Sequence, residues 1–129
     1  MTFQAQLLQP TSVQRTINGY SISLGLPWYR SLPWSCVQDI EVSIDSVIWP
    51  FSSLDVVIDG RVWRADELAK RWDSYWYVQD RVLVRLYGGP DISSADVRVS
   101  MALLLPNVLI ENQAALVRTE SYKRLEIQE

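Results

Sequence analysis

The sequence predicts an all-β domain, a β-sandwich with a partly open barrel as the alternative. Three observations predict it: several segments alternate apolar and polar residues with period two, two dipeptides of hairpin type separate such segments, and helical patterning is confined to residues 66–71. The 129 residues are read as a single domain, 1–129, because a chain of this size removes roughly two-thirds of its unfolded surface from water. A content of 48% hydrophobic and 21% charged residues is that of a chain that folds.

The stretch from Thr11 to Leu26 divides at Asn18-Gly19, which suits a type I′ turn, and Tyr20, Ile22, Leu24 and Leu26 then alternate with Ser21, Ser23 and Gly25. Two Pro-Trp pairs, Pro27-Trp28 and Pro33-Trp34, deny ladder hydrogen bonds and predict an irregular connection carrying Trp28, Tyr29 and Arg30. Alternation resumes after Cys36, with Ile40, Val42 and Ile44 opposite Asp39, Glu41, Ser43 and Asp45. Asp59-Gly60 predicts a second hairpin between Leu54–Ile58 and Arg61–Arg64. Asp66 to Arg71 is acidic at its start and basic at its end, which complements a helix macrodipole. Val82, Val84 and Leu86 alternate with Arg81, Leu83, Arg85 and Tyr87 up to the break at Gly88-Gly89-Pro90. From Ala95 to Leu105, Val97, Val99, Met101 and Leu103 alternate with Asp96, Arg98 and Ser100. The tail from Ala115 to Ile127 reads as an edge strand.

Composition narrows the function. The net charge of −3 argues against a nucleic-acid backbone as partner. No run of about 18 apolar residues predicts a membrane helix, and Met1 to Pro10 lacks the basic and apolar regions of a signal peptide, so a cytoplasmic location is expected. One cysteine and no histidine make a self-contained transition-metal site or a nucleophile–base pair improbable. Cys36 reads as a small buried hydrophobe. Asp39 and Glu41 share a strand face at the spacing of an acid–base pair, yet alternating carboxylates usually mark a solvated face paired with arginine. No catalytic residue is therefore assigned.

The aromatic groups carry more information. Six tryptophans, and ten arginines against two lysines, match the residue bias of protein interfaces. Trp28, Tyr29, Arg30 and Trp34 fall in one proline-bounded loop, and Trp72, Tyr75, Trp76 and Tyr77 in another segment. Exposed on loops, they would stack on a sugar or anchor a protein partner; turned inward, they would close the ends of the core.

Leu26-Pro27-Trp28-Tyr29-Arg30-Ser31-Leu32-Pro33, continuing through Val37 to Asp45, resembles the β subunits of bacterial C-glycoside deglycosidases. The order of later features fits: Asp59-Gly60, Asp66-Glu67-Leu68, the Trp72 to Tyr77 stretch, the strand through Val82 and Val84, and a strand ending at Pro106. The likeness covers about residues 16–107 and departs from the family pattern at Ser94-Ala95-Asp96, where a Gly-Glu-His-like turn is common. The resemblance implies a hetero-oligomer whose larger α subunit is a TIM barrel holding a divalent metal, Mn or Mg, and the catalytic histidine. It further implies cleavage of the carbon–carbon bond between an aromatic aglycone and a 3-oxo sugar. On that reading Trp28, Tyr29, Arg30, Trp34, Trp72 and Trp76 contact the α subunit or rim its pocket, and this chain binds no cofactor. The rival reading is a stand-alone carbohydrate-binding module using the same rings.

Overall fold

The computed structural model describes residues 7–8, 13–28, 30–68, 70–110 and 113–128. Eleven strands occur among them: β1 (Val13–Thr16), β2 (Gly19–Gly25), β3 (Leu32–Pro33), β4 (Val37–Ile44), β5 (Val47–Trp49), β6 (Asp55–Ile58), β7 (Arg61–Arg64), β8 (Tyr75–Trp76), β9 (Arg81–Tyr87), β10 (Ser94–Ile110) and β11 (Gln113–Glu126). The sequence pattern isolates only about seven, because β3, β5 and β8 are too short for alternation to register. A helical turn, α1 (Ala65–Leu68), stands where residues 66–71 were predicted helical. It ends early because Lys70 and Arg71 donate to Glu67 and Leu68, three residues back, and the chain tightens out of the α geometry.

One sheet has the order β1-β2-β9-β6-β7 and the other β11-β10-β4-β5; β3 and β8 form a separate two-stranded pair. The two larger sheets make a sandwich, not a closed barrel. Ile22, Leu24, Val56, Val82, Val84 and Leu86 of one sheet share a single buried cluster with Ile40, Val42, Ile44, Val97, Val99 and Met101 of the other. The inward residues of β2, β4, β9 and β10 are those that the alternation assigns. In β4 the alternation holds only from Ile40 onward. Ala102 pairs with Asp39 and Leu103 with Val37, so Gln38 is an extra residue, and this bulge lets Val37 and Ile40 both face inward.

The hairpins differ. Asp59 (φ 51°) and Gly60 (φ 77°) both take positive φ between β6 and β7, as a type I′ turn requires. At the first hairpin the expected centre is displaced by one residue. Thr16 pairs with Gly19, the turn residues are Ile17 and Asn18, neither has positive φ, and Gly19 opens β2. The backbone of β9 determines this register: Gly19 lies so close to Leu86 that only a glycine fits there.

β10 continues past Pro106 to Ile110 and pairs along its length with β11, the predicted edge strand. The outer face of this sheet is laced by Arg98–Glu120, Arg118–Asp39 and Arg124–Asp96 ion pairs, a solvated charge ladder of small energetic weight per pair.

Candidate functional site

Trp34 occupies a single 3-10 turn between β3 and β4, while Trp76 lies in β8. Pairing of Leu32 with Trp76 and Pro33 with Tyr75 joins two segments more than forty residues apart. Further backbone bonds from Trp34 to Ser74 and from Ser35 to Arg71, both 2.8 Å, complete the seam. The two indoles stack with centroids 4.8 Å apart and planes 13° apart. Trp76 donates its indole N–H to the Asp80 carbonyl at 3.1 Å, and Val78 N–H donates to Ser31 Oγ at 2.8 Å, so the β8–β9 connection is held down.

This corrects two of the site residues expected from sequence. Trp34 and Trp76 are 2% and 1% exposed, hence core residues rather than anchors on an open loop. The long-range β3–β8 pairing turns them inward, whereas Trp72, outside any strand, is 76% exposed. Trp28 is half-buried against the core, Arg30 is exposed, and Tyr29 lies outside the described residues.

Alternation along the chain puts Tyr75 and Tyr77 on the side opposite Trp76. Both are about half exposed, with rings 6.3 Å apart and planes inclined by 27°. They wall a concavity of about 300 Å³ that Trp34 and Trp76 also line, together with Asp59, Asp73 and Asp80. Beside it, two guanidinium groups lie over the Trp63 ring, Arg61 at 5.1 Å and Arg71 at 5.2 Å from its centre. Arg71 also pairs with Asp73 at 3.2 Å. Trp63 and the Asp59 and Asp80 carboxylates were not singled out from sequence. The period-two spacing of Tyr75 and Tyr77 was the one available signal.

The other sequence candidates have structural roles. Asp39 accepts from both terminal nitrogens of Arg118 at 3.3 Å, and Glu41 is exposed on the same face. That is the ion-paired outer surface of the sheet. Cys36 is buried, and burial pushes its thiol pKa up, away from the reactive thiolate. A thiol reagent such as Ellman's is expected to leave Cys36 unmodified in the folded chain at pH 8 and to titrate it fully in denaturant. Prompt labelling of the native protein would overturn this assignment. Among the described residues no three histidine, cysteine, aspartate or glutamate side chains gather as a metal would need.

The chain is similar to known proteins along most of its length. It is 33% identical over 108 residues to the C-glycoside deglycosidase beta subunit of Arthrobacter globiformis, covering 81% of this chain and 82% of that one. It is 32% identical over 99 residues to the protein of the same name in Microbacterium trichothecenolyticum, covering 74% of each. It is 24% identical over 128 residues to the 3'-dehydrocarminate deglycosidase beta subunit of a Microbacterium species, covering 98% and 97%. The model of the C-glycoside deglycosidase beta subunit family matches residues 1–105, and this chain belongs to that family.

Proposed function

We infer that the chain is the β subunit of a heteromeric C-glycoside deglycosidase, and that it supports the active site of an α subunit without supplying the groups that break the bond. Membership of a family of β subunits carries the reading. The residues agree with it. Breaking a carbon–carbon bond next to a 3-oxo sugar by elimination needs a base to take the C2 proton, which the C3 carbonyl acidifies. It also needs an acid to return a proton to the departing aglycone. The sequence holds no histidine, and of the described candidates Cys36 is buried and Asp39 is ion-paired, so neither is poised for these proton transfers.

In this reading a Mn or Mg ion belongs to a TIM-barrel α subunit, as the family resemblance implies. In this reading the complex works in the cytoplasm, and Trp28, Tyr29, Arg30 and Trp72 meet the partner, with the Trp34–Trp76 stack as the rigid support beneath. Trp72 and Arg30 are both exposed, and indole and guanidinium are side-chain types that dominate interface energetics.

Aglycone release from a 3-oxo-C-glycoside, assayed with this chain alone, with the α subunit alone and with both, tests the reading. Turnover is expected with both and none with this chain alone. Turnover by the isolated chain, freed of contaminants, or failure of the two chains to co-purify, would overturn it. Arg30→Ala is expected to weaken co-purification by on the order of 2 kcal/mol, about 30-fold in Kd, while leaving the unfolding midpoint in place.

A further inference from the structure

The concavity walled by Tyr75 and Tyr77 has a chemistry that narrows what can occupy it. Its carboxylates are Asp59, Asp73 and Asp80, and no lysine or arginine lines it. An anion is disfavoured there. Tyr75 and Tyr77, each about half exposed, add aromatic surface to its wall.

The Trp34–Trp76 stack supplies an independent observation. Trp76 spends its N–H on the Asp80 carbonyl, but the indole N–H of Trp34, equally buried and lining the same concavity, has no hydrogen-bond partner among the described residues. A buried donor left unpaired costs about 1–3 kcal/mol, and native folds rarely leave one without a reason. The site therefore has acceptors in its carboxylates and a donor in want of an acceptor. A guanidinium or ammonium group would answer the carboxylates and leave the indole unpaired. A hydroxyl both donates and accepts. A ring bearing several hydroxyls, with a C–H face to lie on tyrosine, answers all three features. The volume sits at the lower end of the ligand-site range of about 300–1,000 Å³, room for one sugar ring rather than a whole aryl glycoside.

We propose that this concavity binds a single glycosyl ring, giving the β subunit a sugar subsite of its own. The sugar as ligand class rests on the deglycosidase reading; the site itself rests on the geometry. Asp80 and Asp59 accept from ring hydroxyls, Tyr77 and Tyr75 carry the ring face, and a ring oxygen answers the Trp34 side of the pocket.

Titration of the purified full chain with methyl β-D-glucopyranoside, followed by tryptophan fluorescence and by saturation-transfer NMR, tests the proposal. Saturable binding with a millimolar dissociation constant is expected, weakened at least fivefold by Tyr77→Ala and by Asp80→Asn, with unfolding midpoints unchanged. In the assembled enzyme the same variants are expected to raise KM for a C-glucoside at unaltered kcat and to co-purify normally. No saturable response up to about 0.1 M glucoside together with unaltered KM in both variants overturns the proposal. So does binding that the variants leave intact, which places the sugar elsewhere. A salt-sensitive loss of co-purification in Asp80→Asn at unaltered KM also overturns it and assigns the pocket to a basic side chain of the partner. An inactive complex would remove the deglycosidase reading and leave the glucoside titration to stand; an active complex without binding removes only the subsite.

Discussion

Gly19→Ala is expected to destabilise the fold by about 3 kcal/mol, lowering the melting temperature by roughly 10 °C. A Cβ at this position would lie 2.1 Å from the Leu86 carbonyl oxygen and 2.9 Å from the Gly88 nitrogen. Both obstacles are backbone. They belong to the β9 end that pairs with Gly19 and takes a 2.7 Å bond from Gly88 N–H to the Asn18 carbonyl, so relief requires parting β2 from β9. Gly60→Ala is the control. Gly60 also has positive φ, but a Cβ there meets nothing within 4 Å, so only conformational strain of about 1 kcal/mol is expected. Guanidinium unfolding of both variants checks this. Equal losses would show that steric approach to β9 is not what demands glycine at position 19.

Trp76→Ala and Trp72→Ala are expected to fail in opposite ways. Removing the buried Trp76 ring leaves a cavity, deletes the stack with Trp34 and frees the Asp80 carbonyl. Trp→Ala changes in cores cost about 3–5 kcal/mol, a large share of the 5–15 kcal/mol that holds a typical domain together. The variant should unfold far more easily, and any loss of assembly should follow from loss of folded protein. Trp72→Ala removes an exposed ring, and an unfolding midpoint within about 0.5 kcal/mol of the parent is expected. Its effect should appear in affinity for the α subunit, by about 2 kcal/mol or 30-fold in Kd. Denaturation and a binding titration on the same preparations separate the two. If Trp72→Ala also unfolds the chain, or binds as the parent does, Trp72 is not a contact residue.

Much of this architecture is legible residue by residue. Val82, Val84 and Leu86 face inward with Leu83, Arg85 and Tyr87 outward, because a strand buried on one face carries its environment in its own spacing. Asp59-Gly60 is equally local, since positive φ at both positions is a property of those residues. The aromatic residues are not legible in this way. Trp28 and Trp34 each follow a proline, Trp72 and Trp76 fall in one aromatic stretch, and in neither segment does a sustained alternation tell the inward ring from the outward one. Only Trp34 and Trp76 are held by the β3–β8 pairing, a contact between distant segments too short to leave a period of their own. The Gln38 bulge and the one-residue displacement at Asn18-Gly19 are likewise set by the strand on the other side of the ladder.

The sequence by itself thus determined the all-β class, the inward faces of the long strands, the want of an imidazole and the family. These depend on residue type and short spacing, which are local quantities. The tertiary structure alone decided which indoles are core and which are surface, and gathered Asp59, Tyr75, Tyr77 and Asp80 around one concavity. Burial is a property of what the rest of the chain packs against a residue, and here that packing is done by segments dozens of positions away.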